Sequence, residues 1–206
     1  ALVAIGFSLI FGVLRVINMA NGSIFILGAY MTFGMYSLLK GNFWFALLAA
    51  MIITGLVGFL SDRLVLQPLR KKGAPFQAHM VGTLGVGFVI DNALPLIFGS
   101  DTKGIPYSVD WRGLEVFGTN ISYFQFVILG VALGLVTIVS LVIYKTKLGN
   151  AILATSQNLM AAQLMGINTR RIISVTFMAS AVLSTISGTI VTMYYHSVYV
   201  GMSGSY

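Results

Sequence analysis

Few residues in this sequence carry side chains that could do chemistry, and most of them lie apart from one another. The 206 residues include no Cys and two widely separated His, so the sequence offers neither a thiolate nor a clustered metal site. No nucleophile stands beside a base, which excludes the common enzyme constellations. Asp91 is different, because it is an ionisable residue inside an apolar run. Such an acid faces a cavity or a partner, or else it is solvated near the outer interface beside Asn92 and Pro95.

A second candidate is the polar stretch that interrupts the apolar sequence near residue 20, whose key members are Asn18, Ala20, Asn21 and Gly22. One interpretation is a tight turn at a membrane interface. The other is a broken or re-entrant segment whose backbone groups line a polar cavity, since irregular backbone at membrane depth is tolerated only there. The apolar arms on both sides are short, which favours the broken segment. In a later apolar run, the small residues Thr83 and Gly85 allow close helix approach or leave room for a solute.

The longest polar, helix-compatible stretch is residues 145–171, which contains basic residues and no acid. Asn158, Ala162 and Gly166 are spaced to share one side of a helix, and Met160 and Leu164 form a bulkier row beside it. Gly166 is a natural left-handed helix stop, and Asn168 is a suitable N-cap for the next helix. The stretch is either an amphipathic connector on the lipid surface or a rigid contact element for a partner.

Composition indicates the class of protein that must hold these residues. The chain is 57% hydrophobic and 8% charged, whereas soluble domains carry about 25% charged residues. Continuous apolar runs, without the alternation of a β-barrel, predict an all-α, polytopic transmembrane helical bundle. The net charge of +7 lies in particular loops, which indicates positive-inside bias and not nucleic-acid binding.

The apolar runs predict a single transmembrane domain over residues 1–206, with spans at about 1–14, 24–39, 43–60, 80–98, 122–144 and 172–194. Loops 61–79 and 145–171 are expected on the cytoplasmic side, and loop 99–121, which carries net negative charge, on the external side. The chain opens on Ala1 within an apolar run, so we expect an internal fragment of a longer protein.

Several of these segments together resemble one known family. The run LGNAILATSQNLMAAQLMGINTRRIISVTF is similar to the cytoplasmic coupling segment of ATP-binding cassette (ABC) importer permeases of the branched-chain amino acid, high-affinity Liv type. Asn18-x-Ala20-x-Gly22, Pro68-Leu69-Arg70 and Thr83-Leu84-Gly85 also match patterns of that family. The chain departs from the family pattern at Asn21, Gln67, Asp91, Asn150, Leu153 and Met160.

The resemblance implies two groups of functional residues. Those expected to couple to an ATPase are Gly149, Ala161, Ala162, Leu164, Gly166, Ile167 and Asn168. Those expected along a translocation path are Asn18, Ala20, Asn21, Gly22, Thr83, Gly85 and Asp91. No catalytic or metal-binding residue is implied.

The implied function is a plasma (inner) membrane permease that moves branched-chain amino acids by alternating access. The chain has no P-loop sequence, so ATP would be bound by cytoplasmic ATPase subunits and the permease itself needs no cofactor. A second permease subunit, an extracytoplasmic solute-binding protein and membrane lipid are the other expected partners. Two alternatives remain open: the same family carrying urea or short amides, and an ion-coupled secondary transporter that would use Asp91 as its titratable site.

Overall fold

The computed structural model describes residues 18–99, 101, 103–104, 113–116 and 119–198. The helical elements within these residues are α1 (Asn21–Leu38), α2 (Phe43–Ser61), a π-helical turn (Asp62–Leu66), α3 (Gln67–Lys71), α4 (Phe76–Phe98), α5 (Tyr123–Lys145), α6 (Lys147–Gln157), α7 (Leu159–Leu164) and α8 (Thr169–Tyr195). The strands are β1 (Lys103–Gly104), β2 (Gly113–Val116), β3 (Thr119–Ser122) and β4 (Ser197–Val198).

The predicted all-α membrane bundle is confirmed. Among the described residues, four helices are long and apolar enough to cross a membrane: Phe43–Lys71, Gln77–Phe98, Tyr123–Lys145 and Thr169–Tyr195. The strands in the described part of the chain form two antiparallel pairs, the β2–β3 hairpin within the predicted external loop and the β1–β4 pair. The predicted span 1–14 lies outside the described residues.

Helix α2 ends at Ser61, one residue after the predicted end of its span. The chain stays helical through the π-helical turn and α3 to Lys71, so the predicted loop 61–79 is largely helix. Asp62, the one acidic residue of that stretch, is buried and paired with Arg70. Helix α4 begins at Phe76, four residues before the predicted start of its span.

Helix α1 lies at the centre of the bundle, between α2 and α8. Its side chains Phe25, Ile26 and Tyr30 are among the most buried of the described residues. Small residues bring the backbones together: a Cβ at Gly28 would lie 2.5 Å from Thr185 Cα on α8.

Hydroxyl groups form hydrogen bonds between the helices of this core. Thr32 Oγ1 and Thr189 Oγ1 are 2.9 Å apart, and Thr54 Oγ1 lies 2.5 Å from Thr185 Oγ1. Such hydrogen bonds each contribute modestly in a membrane, about 0.6–2 kcal/mol. The hydroxyl-rich side of α8 therefore packs against α1 and α2.

Helix α5 lies at the side of this bundle. Among the described residues its main helical contact is with α6, which follows it directly. Near its outer end, Gln125 Nε2 donates to the Tyr194 hydroxyl of α8 at 3.4 Å. The helix otherwise presents apolar side chains outward, as expected of a lipid-facing span.

Candidate functional site

The polar stretch near residue 20 lies inside the helix bundle. Asn18, Ala20 and Asn21 are all buried, and α1 begins there without a side-chain cap. Asn18 Oδ1 accepts from the Ala20 amide at 3.1 Å, which holds the chain in a compact turn before the helix. The described part of the stretch is therefore enclosed by the protein, and the broken or re-entrant segment stays a prediction.

Helix α4 presents one face to this helix start. Thr83 Oγ1 accepts from the Met19 amide at 3.2 Å, and a Cβ at Gly87 would lie 3.0 Å from Ser23 Oγ. Because Thr83, Gly87 and Asp91 are spaced four residues apart, they share one side of the helix.

Gly85 does not belong to that face. It is exposed, and a Cβ placed on it would meet nothing within 4 Å. Two residues correspond to a rotation of about 200° around a helix, so Gly85 is turned away from the side that carries Thr83. The structure therefore replaces Gly85 with Gly87 as the glycine beside the polar stretch, and the i, i+4 spacing from Thr83 is the signal that would have found it.

Helix α8 supplies two further polar groups that the sequence did not single out as site residues. Ser180 Oγ and Ser184 Oγ lie 3.4 and 3.0 Å from Asn21 Oδ1, and both donate to it. The start of α1 is thus held from two sides, by α4 and by α8.

Several polar atoms at this helix start are buried without a hydrogen-bond partner in the described part of the chain. They are the side-chain amide nitrogens Asn18 Nδ2 and Asn21 Nδ2 and the carboxylate oxygen Asp91 Oδ1. An unsatisfied buried polar group costs about 1–3 kcal/mol, so each needs a reason. The uncapped first turn of α1 adds backbone N–H donors, which carry partial positive charge. Together these groups place unpaired donors and an unpaired acceptor inside the bundle. No group of three possible metal ligands occurs among the described residues.

The stretch 145–171 forms two short helices whose ends are capped by side chains. Thr146 Oγ1 accepts from the Gly149 amide at 3.0 Å, and Asn158 Oδ1 accepts from the Met160 and Ala161 amides. Asn168 Oδ1 accepts from the Arg171 amide at 3.2 Å, which confirms it as the N-cap of α8. Gly166 has φ +81°, which confirms the left-handed stop after α7.

The exposed face of α7 differs from the predicted one. Ala162 is 3% exposed and faces its own chain, whereas Met160 and Leu164 are 73% and 84% exposed. Ala161 and Gly166 are also exposed, and Ile167 is half-buried. A partner would therefore meet the bulkier row, and the predicted small-residue row of Asn158, Ala162 and Gly166 does not form one free surface.

Gly149 also has an internal contact. A Cβ there would overlap the carbonyl group of Ile143, so this glycine lets α6 fold closely against the end of α5.

An ion pair lies beneath this segment. Asp62 is fully buried in the π-helical turn, where Oδ1 accepts from Arg70 Nη2 and Oδ2 accepts from Ser174 Oγ at 2.5 Å. Leu66 packs beside it against Ile173 and Phe177 of α8. This contact could not be predicted from the sequence, because Ser174 is 112 residues from Asp62.

Comparison with known proteins identifies the family. Residues 1–205 match the family model described as "Branched-chain amino acid transport system / permease component". The high-affinity branched-chain amino acid transport system permease protein BraD of Pseudomonas aeruginosa is 30% identical over 95% of this chain and 67% of its own length. The permease protein LivH of Escherichia coli is 26% identical over 95% of this chain and 67% of its own length.

Another relative is the probable branched-chain amino acid transport permease protein LivH of Methanocaldococcus jannaschii, 28% identical over 91% of this chain and 60% of its own length. No solved structure matches significantly. With a family match that covers nearly every residue and four membrane-competent helices, this multi-pass membrane chain belongs to the branched-chain amino acid transport permease family.

Proposed function

We propose that this chain is the transmembrane subunit of an ABC importer that moves branched-chain amino acids inward across the plasma membrane. The observation that carries the proposal is the family match over residues 1–205. The solute named for the relatives BraD and LivH supplies the substrate.

The contact with the ATPase is assigned to the exposed face of α7. Met160 and Leu164 lie on it one helical turn apart, and Met165 follows with 82% exposure. Asn158 caps the start of α7 and Asn168 caps the start of α8. These caps hold the connection between the two helices, so a displacement of α7 would be transmitted to α8. Exposed Met and Leu side chains on a fixed support suit a groove on a partner.

The translocation path is assigned to the start of α1 and its neighbours on α4 and α8. The support for this assignment is the set of buried, unpartnered polar atoms of Asn18, Asn21 and Asp91. An amino acid carries one carboxylate and one ammonium group. The uncapped start of α1 and the side-chain amide nitrogens of Asn18 and Asn21 suit the carboxylate of the solute, and the Asp91 carboxylate suits its ammonium group. A passing solute would satisfy groups that the chain itself leaves without partners.

The importer also needs a second permease subunit and a solute-binding protein on the external side. The β2–β3 hairpin, in the loop expected outside, is the described external element that such a binding protein would approach. Movement then follows alternating access, with ATP-driven closure of the ATPase pair acting through α7.

Reconstitution tests the proposal against the ion-coupled alternative. The permease, its ATPase subunits, its partner permease and the binding protein are placed in liposomes, and uptake of labelled leucine is followed. We expect uptake to stop when ATP is removed while a proton gradient is kept. Uptake that persists without ATP, and that collapses with the gradient, would establish ion coupling instead.

The solute is tested separately. Binding of leucine, isoleucine, valine, urea and acetamide to the companion binding protein is measured by calorimetry. Tight binding restricted to the branched-chain amino acids is the expected result. A binding protein selective for urea or acetamide would leave the importer mechanism in place but replace the substrate.

A further inference from the structure

A cleft lined by basic and apolar side chains lies where α3, α7 and α8 meet. Its volume is about 190 Å³. Three basic residues line it, Arg70 and Lys71 from α3 and Arg170 from the first turn of α8. Gln163 of α7 adds a neutral polar group, and Ile173 of α8 adds an apolar surface.

The positive charge of this cleft is not neutralised by the surrounding chain. Residues 61–79 and 145–171 contain eight basic residues and one acidic residue, Asp62. Asp62 is fully buried, with one oxygen bonded to Arg70 and the other to Ser174. Lys71 and Arg170 are exposed and form no ion pair with any described residue. The cleft therefore attracts an anion.

The position of the cleft along the helices indicates which anion reaches it. Lys71 is the last residue of the membrane-competent helix Phe43–Lys71, and Arg170 is the second residue of the membrane-competent helix Thr169–Tyr195. The polar layer on each side of a bilayer is roughly 5–8 Å thick, and basic residues at the ends of spanning helices lie in this layer beside the lipid phosphates.

The cleft is also separate from the face of α7 assigned to the ATPase. Leu159 and Gln163 point into the cleft, and Met160 and Leu164 form the exposed row. The two rows are about 100° apart around the helix axis.

We propose that this cleft binds the phosphate group of an anionic phospholipid in the cytoplasmic leaflet. Lys71 and Arg170 hold the phosphate. The bound lipid lies against both α3 and α8, and so supports the base on which α7 moves. Basic pockets between membrane helices on the cytoplasmic side commonly bind such head groups.

The test counts lipids retained by the intact permease. Purified protein in detergent is titrated with phosphatidylglycerol or phosphatidylcholine, and native mass spectrometry gives the occupancy. The cleft variant carries Lys71→Gln and Arg170→Gln, and the matched control carries Lys145→Gln and Lys147→Gln. Both pairs remove two exposed positive charges from the same side of the protein, but only the first pair lines the cleft. Arg70 is left intact because Asp62 depends on it.

We expect one tightly retained phosphatidylglycerol in the wild type and in the control, with no comparable binding of phosphatidylcholine. The cleft variant should bind about 25-fold more weakly, since each basic residue near an anionic surface contributes roughly a factor of five. Equal weakening in both variants, or in neither, would overturn the site.

Millimolar inorganic phosphate is the second arm of the test. Failure of phosphate to displace the lipid supports a head-group site. Displacement of the lipid by phosphate alone would assign the cleft to the soluble anion and overturn the lipid. Neither measurement depends on the transported solute, so a failure here leaves the proposed transport function standing.

Discussion

The buried ion pair between Asp62 and Arg70 gives a prediction about stability. The exposure of the two side chains determines which substitution costs more. The Arg70 side chain is 20% exposed and lines the cleft, whereas the Asp62 side chain is 1% exposed. Removing Asp62 leaves a cation that water can reach. Removing Arg70 leaves a carboxylate in the interior with Ser174 as its remaining partner. The second loss is the larger one, because an uncompensated buried charge costs about 3–5 kcal/mol.

We therefore predict that Arg70→Met lowers stability by about 3–5 kcal/mol. Asp62→Asn keeps the shape and an acceptor for Ser174, so its cost is lower, about 1–3 kcal/mol. For a chain of this size 1 kcal/mol corresponds to roughly 2–4 °C, so Arg70→Met should lower the melting temperature by roughly 6–20 °C. The melting temperature is read in detergent from the loss of monodisperse permease on size-exclusion chromatography.

Arg63→Met is the matched control. Arg63 stands next to Asp62 in the same π-helical turn, but it is exposed and lies 5.7 Å from the centre of the Phe59 ring. An exposed cation–π contact contributes about 0.5–1 kcal/mol, so this variant should melt within roughly 4 °C of the wild type.

A double-mutant cycle separates the ion pair from general disturbance. Asp62→Asn combined with Arg70→Met should be more stable than Arg70→Met alone, because the buried charge is gone. The reasoning is refuted if Arg70→Met and Arg63→Met melt alike, or if the effects of the two single variants simply add.

Three further predictions concern the exposed face of α7, the glycines of α4 and the orientation of the chain. Leu164 is 84% exposed, so Leu164→Asp puts a charge on the surface of α7 without disturbing the fold. The permease should then lose its ATPase subunits on mild purification. Retained subunits and solute-stimulated ATP hydrolysis would contradict the assignment. Gly87→Leu should reduce uptake at least tenfold relative to Gly85→Leu. Of these two glycines, Gly87 has close neighbours and Gly85 has none, and overpacking costs about 1–3 kcal/mol. Equal uptake by the two variants would argue against a translocation path at this face of α4. Single cysteines at Gly73 and Gly113 should be protected and labelled, respectively, by an impermeant thiol reagent in intact cells, and the reverse pattern would invert the topology.

Local features of the fold could be predicted from the sequence. The apolar runs near 43, 122 and 172 mark spans because their length must match the hydrocarbon thickness. Gly166 and Asn168 mark a helix end and a helix start because backbone conformation and capping depend on neighbouring residues alone.

Features that depend on distant contacts could not be predicted. Asp62 reads as a loop residue until Ser174 is brought beside it by the packing of α8. The face that α7 buries could not be predicted for the same reason. Spacing places Ala162 in one row and Met160 in another, but the cap at Asn158 and the packing on the chain decide which row is buried. In α4, the spacing from Thr83 identifies Gly87 as the glycine beside α1, but it does so after the structure has shown that Thr83 faces α1.

Helix α8 connects the coupling segment to the polar helix start. It begins one residue after the cap Asn168, meets Asp62 through Ser174, and reaches Asn21 through Ser180 and Ser184. Residues 170 and 184 are about 21 Å apart along the helix axis, over which an α-helix is stiff.

Under the proposed function, a displacement of α7 would reach the start of α1 through this one helix. The Asp62 pair joins α8 to the π-helical turn between α2 and α3, where the regular hydrogen-bond pattern of the helix is already altered.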